Sequence, residues 1–316
     1  MELFIDIDFL QEFQKGFDAN PNNPINEIVK NIVTNYGDKK VFINYDDSNY
    51  TILKEKNECF ALIANTTVPI PVHSIESVVK KSNLTQTLIF TNKEENWFDE
   101  FEKKGALCFS FNNYEQKIKT IIDDLHFKID LSVPLKNWDF LDAFKIINYN
   151  KIAVTDGYIL GDNSSQKMED NIIPILKKIT PAKNNNVSIS FFTKELKPIS
   201  EQTKHKKEKA KKRINKFKQL FPNEHIKFNI INSNLNHKIS QKFDMHDRTI
   251  TTNFSIMDSG LGFNLLPHKP SNSQLVSETI FEKYTYKRLN NILSKQSEYT
   301  QSISLLGDDV FKIFPE

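Results

Sequence analysis

Strand-length apolar runs alternate with helix-length amphipathic segments along most of this chain, and that alternation restricts the fold to helices packed on central sheets. Leu3-Phe4-Ile5-Asp6-Ile7-Asp8 reads as a short buried strand ending in two carboxylates, with a helix starting at Phe9. Residues 24–33 carry apolar side chains at helical spacing, and Pro24 stands at an N-terminal position where a missing N–H costs nothing. Residues 41–45, 60–63, 87–91 and 106–111 have the composition of strands, and residues 96–104 form a helix stopped by Gly105. A second series opens with a strand at 151–156 and continues through a helix at 166–179 and strands at 187–192 and 225–231. Between Glu201 and Phe221 lies a lysine-rich helix whose apolar stripe is Ala210, Ile214, Phe217 and Phe221. Beyond Gly262 the run to Tyr286 reads as irregular and then helical.

The expected fold class is therefore α/β, in two α/β units. With 316 residues, 39% of them hydrophobic and 25 of them Phe, the chain has material for two cores. The expected boundaries are an N-terminal unit over 1–135, a linker over 136–149 marked by its few regular signals, and a second unit over 150–316. No signal peptide or membrane-spanning stretch is visible, and two isolated cysteines, Cys59 and Cys108, suit a reducing compartment, so the expected location is cytoplasmic. Residues 1–150 hold 16 Lys against 23 acids, whereas residues 151–316 hold 26 Lys and Arg against 17 acids. That asymmetry suits a second unit that meets an anion: nucleic acid, a phospholipid headgroup or an acidic protein.

The chemistry concentrates in residues 245–253, Met-His-Asp-Arg-Thr-Ile-Thr-Thr-Asn, followed by Gly260-Leu261-Gly262-Phe263-Asn264. On an extended backbone His246, Arg248 and Ile250 point to one face. An imidazole beside a guanidinium suits a phosphate, and Arg248 is one of only three arginines in a chain that otherwise uses Lys, so it is a position where a planar fork is needed. The competing reading is a surface strand whose His246 and Arg248 pair with Asp244 or Asp247. Lys207, Lys211 and Arg213 of the lysine-rich helix would add salt-dependent attraction for a polyanion, or else form only a solvated face.

His246, Arg248 and Asn253 stand in the register His-x-Arg-x4-Asn, which resembles the His-x-Lys-x4-Asp signature of the phospholipase D superfamily. More closely, residues 150–290 resemble the phospholipase-D-like domain found C-terminal to microtubule-interacting-and-trafficking domains. The matching features are Asp156-Gly157-Tyr158-Ile159, the strand at 189–193, the long helix, His246-Asp247-Arg248 with Ile250, Asn253, and Gly260-Leu261-Gly262-Phe263. The resemblance implies a phospholipase-D-like sheet with flanking helices that binds an acidic ligand without hydrolysing it. His246, Arg248, Asn253, Tyr158, Lys207, Lys211 and Arg213 would be the ligand-binding residues, and Asp156 would orient His246. The departures weigh against catalysis: Asn253 stands where a carboxylate would hold the histidine, and one motif is present where active enzymes use two, so an active form would be a homodimer. Such modules also occur in bacterial defence against phage, which makes the expected role that of a nucleic-acid-binding adaptor or sensor beside a protein effector, with a membrane the less favoured partner.

A nuclease or phosphodiesterase is the alternative, acting through a homodimeric site with His246, Arg248, Asn253 and Asp156 as catalytic candidates, or through metal. Asp6 and Asp8 at a strand end resemble the paired carboxylates of Mg²⁺-dependent nucleases, and residues 1–130 loosely resemble a PIN-like domain with Glu27 and Asp99 as further acids. The same pair would otherwise cap the first helix. No cofactor is expected apart from that Mg²⁺: seven scattered His and two distant Cys give no metal spacing, and no phosphate-cradling glycine loop appears.

Overall fold

Three successive apolar side chains, Leu3, Phe4 and Ile5, are sealed from solvent in β1 (Glu2–Ile5), which a strand achieves only when helices cover both of its faces. The computed structural model describes residues 1–157, 159, 167–180, 187–194, 208, 212, 215–222, 225–231, 248–260, 262–267 and 270–304. It has an α/β fold in two units, each built on its own sheet.

The first sheet contains β1, β2 (Lys40–Ile43), β3 (Ile70–Pro71), β4 (Thr87–Thr91) and β5 (Leu107–Ser110), all parallel and in the order β3-β2-β1-β4-β5. This is the strand order of doubly wound α/β sheets. Alternation along the strands divides the core in two. Leu3, Ile5, Leu88 and Phe90 pack with α1 (Ile7–Ala19), α2 (Pro24–Asn35) and, farther along, the helices α4 (Glu58–Thr66) and α7 (Tyr114–Leu125), while α3 (Tyr50–Lys56) leans on α4. Phe4, Ile89 and Cys108 face the opposite side, under α5 (Ile75–Val79) and α6 (Phe98–Lys103). The strand expected at residues 60–63 is instead part of α4. Asn57 caps it by accepting from the Phe60 N–H at 2.7 Å, and its buried residues Cys59, Phe60 and Ile63 form one helical stripe rather than alternating.

The second sheet contains β6 (Phe127–Asp130), β7 (Lys151–Thr155), β8 (Ser188–Lys194), β9 (His225–Ile231), β10 (Thr249–Thr252), β11 (Ser255–Ser259) and β12 (Gln274–Thr279), in the order β6-β12-β11-β10-β7-β8-β9. Strands β7, β8 and β9 are parallel, and the other neighbours pair antiparallel. One face carries a π-helical turn (Lys167–Ile172) that runs into α8 (Ile173–Ile179), and the other carries the long helix α9 (Lys283–Ser304), whose Arg288 pairs with Asp258 of β11 and whose Gln296 reaches Thr155. The stretch expected to be irregular before Tyr286 contains β12.

The expected boundary moves. Strand β6 precedes residue 135 yet hydrogen-bonds to β12, so the second sheet takes its edge strand from the first segment of chain. The expected linker is no linker either: it holds a 3-10 helix, Asp139–Ile146, and buries Trp138, Leu141, Phe144 and Tyr149 in a core continuous with both sheets.

Two sets of contacts lock the units together. Tyr36 of the first and Tyr286 of the second stack with ring centroids 4.4 Å apart, and each hydroxyl donates across the seam, to the Ile280 carbonyl at 2.8 Å and the Gly37 carbonyl at 2.5 Å. At the far end Asn150 donates to the carbonyls of Leu84 and Lys104, both at 2.9 Å. Gly105 has φ +102°, and a Cβ there would come within 2.7 Å of the Asn150 side chain, so this position needs glycine for its backbone and for its neighbour.

Candidate functional site

Strand β7 has Ile152 and Val154 inward on the α8 face, and the same alternation carries Asp156, one residue beyond it, into the interior. The Asp156 N–H still donates to the Phe192 carbonyl at 3.0 Å, so the backbone holds the carboxylate in strand register. Its Oδ2 lies 2.7 Å from Nζ of Lys167, the residue that opens the π-helical turn, and the two side chains are 0% and 4% exposed. The resemblance would have Asp156 orient His246. His246 lies outside the described residues; within them the Asp156 carboxylate neutralises a buried ammonium that no sequence motif singles out. The only sequence signal is a lysine starting a segment that otherwise reads as an amphipathic helix.

Strand β10 runs antiparallel to β7 with Thr249 opposite Thr155, and the same register carried one residue further sets Arg248 level with Asp156. Arg248 is partly buried, and its carbonyl accepts from the Ser259 N–H at 3.2 Å. Its side chain lies across Gly262. A Cβ at 262 would stand 2.5 Å from Arg248 Cδ and 2.7 Å from Nη1, and φ there is +78°. The turn is fastened by Ser259, whose hydroxyl donates to the Gly262 carbonyl at 2.7 Å. The chain after it is anchored by fully buried Asn171 of the π-helical turn, which accepts from the N–H groups of Leu265 and Leu266 at 3.0 and 2.7 Å. The glycine turn expected after the His-x-Arg strand is thus a platform that keeps the guanidinium close to the backbone. Asp156, Lys167 and Arg248 sit at one end of the sheet, two basic groups and an acid.

Asn253 does not belong to this end. Four residues separate it from the start of β10, and it lies at the seam between sheets, 1% exposed. Its Oδ1 accepts from the N–H groups of Asn150 and Lys151 at 3.2 and 2.9 Å, and its Nδ2 donates to the Thr85 carbonyl and to Asn150 Oδ1. The carboxamide is fully engaged, so the ligand-binding or catalytic role expected of Asn253 gives way to a structural one. His246, Tyr158, Lys207, Lys211 and Arg213 lie outside the described residues. Of the lysine-rich helix, Phe217 is buried 4.7 Å from Phe191, and Lys212, Lys216 and Lys218 are exposed, with Lys216 paired to Glu169 at 2.6 Å.

The carboxylates expected to hold metal are placed otherwise. Asp6 is the N-cap of α1: its side chain accepts from the Asp8 N–H and from Asn44 Nδ2, both at 3.1 Å, and from the Asn92 N–H at 3.3 Å. Asp8 is exposed on the first turn of α1, Glu27 is exposed in the first turn of α2, and Asp99 pairs with Lys103 at 2.5 Å. Among the described residues no three His, Cys, Asp or Glu side chains are grouped so as to hold an ion. Cys59 and Cys108 are buried, and burial pushes both thiols up, Cys59 to about 12, so neither is a thiolate at neutral pH.

No protein-family model matches the chain, and no curated protein matches it. Among the described residues no helix is long and apolar enough to cross a membrane.

Proposed function

We propose that this chain is a non-catalytic recognition protein, a phospholipase-D-like module fused to an α/β unit, that holds a phosphate-bearing ligand at the Arg248 end of the second sheet. Nucleic acid is the ligand favoured by the positive balance of residues 151–316, and the setting is a cytoplasmic adaptor or sensor, of the kind found in bacterial anti-phage defence, working with a separate protein effector. The observation that carries the reading is the guanidinium laid over Gly262 at the strand ends, level with a buried Asp156–Lys167 pair. A planar fork lying against a glycine turn is held in place, so ordering it around a phosphate costs little entropy. Catalysis is disfavoured because Asn253, which stands where a carboxylate would hold the histidine, is committed to the seam.

The test is fluorescence anisotropy with labelled single- and double-stranded DNA and RNA across a salt series. Binding that falls steeply with salt, weakened about tenfold by Arg248→Ala and less by Arg248→Lys, is the expected result. Cleavage lost in His246→Ala would replace this reading with a homodimeric nuclease, and EDTA-sensitive cleavage lost in Asp6→Ala with a metal-dependent one. Sedimentation with acidic vesicles, in the absence of nucleic-acid binding, would replace it with a membrane adaptor.

A further inference from the structure

At the opposite end of the second sheet from Arg248, a crevice of about 430 Å³ opens between the sheet and α9. That volume lies in the range of small-molecule pockets, roughly 300–1,000 Å³. Its walls are mixed: Ala153, Phe192 and Leu293 are apolar, and polar groups stand among them. Ser188 and Ser190 of β8, Thr251 of β10, and Gln296 and Ser297 of α9 supply hydroxyl and amide groups, and Lys151 at the start of β7 supplies a cation. A sheet face packed only against a helix would carry apolar residues at Ser188, Ser190 and Thr251 as it does at Ala153 and Phe192. Thr251 is 1% exposed, and its Oγ1 has no hydrogen-bond partner among the described residues. Leaving a buried hydroxyl unmatched is unfavourable, and in native proteins such a group calls for a reason. Lys151 is exposed at the start of β7, and partial desolvation of its ammonium pulls its pKa down; an anion beside it would reverse that shift. None of the described residues lining the crevice is an Asp or Glu, so the electrostatics favour an anion over a metal ion or an amine.

We propose that this crevice binds a small hydroxylated oxyanion, of the sugar-phosphate or sugar-acid kind, with Lys151 holding the anionic group and the hydroxyls of Ser188, Ser190 and Thr251 meeting the polyol. The site stands independently of the nucleic-acid reading, because Arg248 is not part of it.

Isothermal titration and thermal unfolding of the full chain with ribose 5-phosphate, gluconate, inorganic phosphate and ribose provide the test. One of the two hydroxylated acids should bind saturably and raise the unfolding midpoint, distinguishing phosphate from carboxylate. Inorganic phosphate should bind more weakly, and ribose should give no effect. Lys151→Met should weaken binding at least tenfold, and Arg248→Ala should leave it unchanged. Thr251→Val, which is isosteric, should weaken binding while raising the unfolding midpoint of the unliganded protein, a pairing that a merely structural hydroxyl would not produce. Absence of binding by both acids, binding that survives Lys151→Met, binding lost in Arg248→Ala, or a lower midpoint in Thr251→Val would each overturn the proposal.

Discussion

Asp6 and Asp156 occupy equivalent places, each just past the end of a strand in the parallel part of its sheet, and they come to opposite ends. Asp6 is partly exposed, and every contact it makes is a hydrogen bond from a neutral donor: two backbone N–H groups and an asparagine. Asp156 is sealed from solvent against the ammonium of Lys167. The difference lies in the path of the chain beyond each strand. After β1 the chain turns directly into α1, whose first N–H groups need an acceptor, and a carboxylate at that position supplies one. After β7 the backbone continues in strand register, so the next side chain enters the core and has to bring a countercharge with it. A strand-end carboxylate is therefore no sign of a metal site or of a catalytic acid until its donors are known.

That contrast can be broken by mutation. Removing one partner of the buried pair should have the largest effect: Asp156→Ala or Lys167→Ala strands a charge in the interior and should cost about 3–5 kcal/mol in urea unfolding, whereas the double change Asp156→Leu with Lys167→Met should recover most of it. If the single changes cost less than about 1 kcal/mol, the pair is hydrated and the contrast with Asp6 disappears. Next comes Asn253→Ala, which leaves the Asn150 and Lys151 N–H groups unmatched at the seam and should cost about 2–3 kcal/mol without altering the salt dependence of nucleic-acid binding. Altered salt dependence there would return Asn253 to the ligand site. Asp6→Ala should cost about 1 kcal/mol as the loss of a helix cap, with no change on adding Mg²⁺.

The smallest effect concerns pH. His126 accepts from the Thr279 N–H at Nε2, 2.9 Å away, and burial lowers its pKa. The unfolded chain therefore takes up a proton near the ordinary histidine pKa, about 6.5, that the folded chain refuses. Stability should be full above that pH and decline as pH falls through it. Replacing His126 with Gln should flatten that part of the pH profile, and an unchanged slope would assign it elsewhere.

Much of the architecture is legible from local patterning. The buried strands β1, β4, β5 and β7 centre on short apolar runs, and α2 announces itself by Pro24 and its apolar stripe. Residues 60–63 mislead because a short apolar run has no period of its own, and the capping Asn57 that settles the matter lies outside it. Strand β12 escapes notice because its alternation of exposed and buried positions is carried by Ser, Gln and Glu as much as by Leu and Val. At the site, a glycine turn after the strand can be read from the sequence, but that Gly262 lies beneath Arg248, where a Cβ would collide with the guanidinium, cannot. Nor can the partnership of Asp156 with Lys167, because no motif or regular spacing links the two positions in the sequence. Asn253 resembles a member of the motif by spacing alone, and its true role needs the first sheet beside it.

The loan of β6 to the second sheet has a practical corollary. A fragment begun at residue 150 would lack the partner of β12 and present a naked row of amide and carbonyl groups along that edge. Such a fragment is a template for self-association, and any oligomer it formed would report a cut made in the wrong place, not the habits of the intact chain.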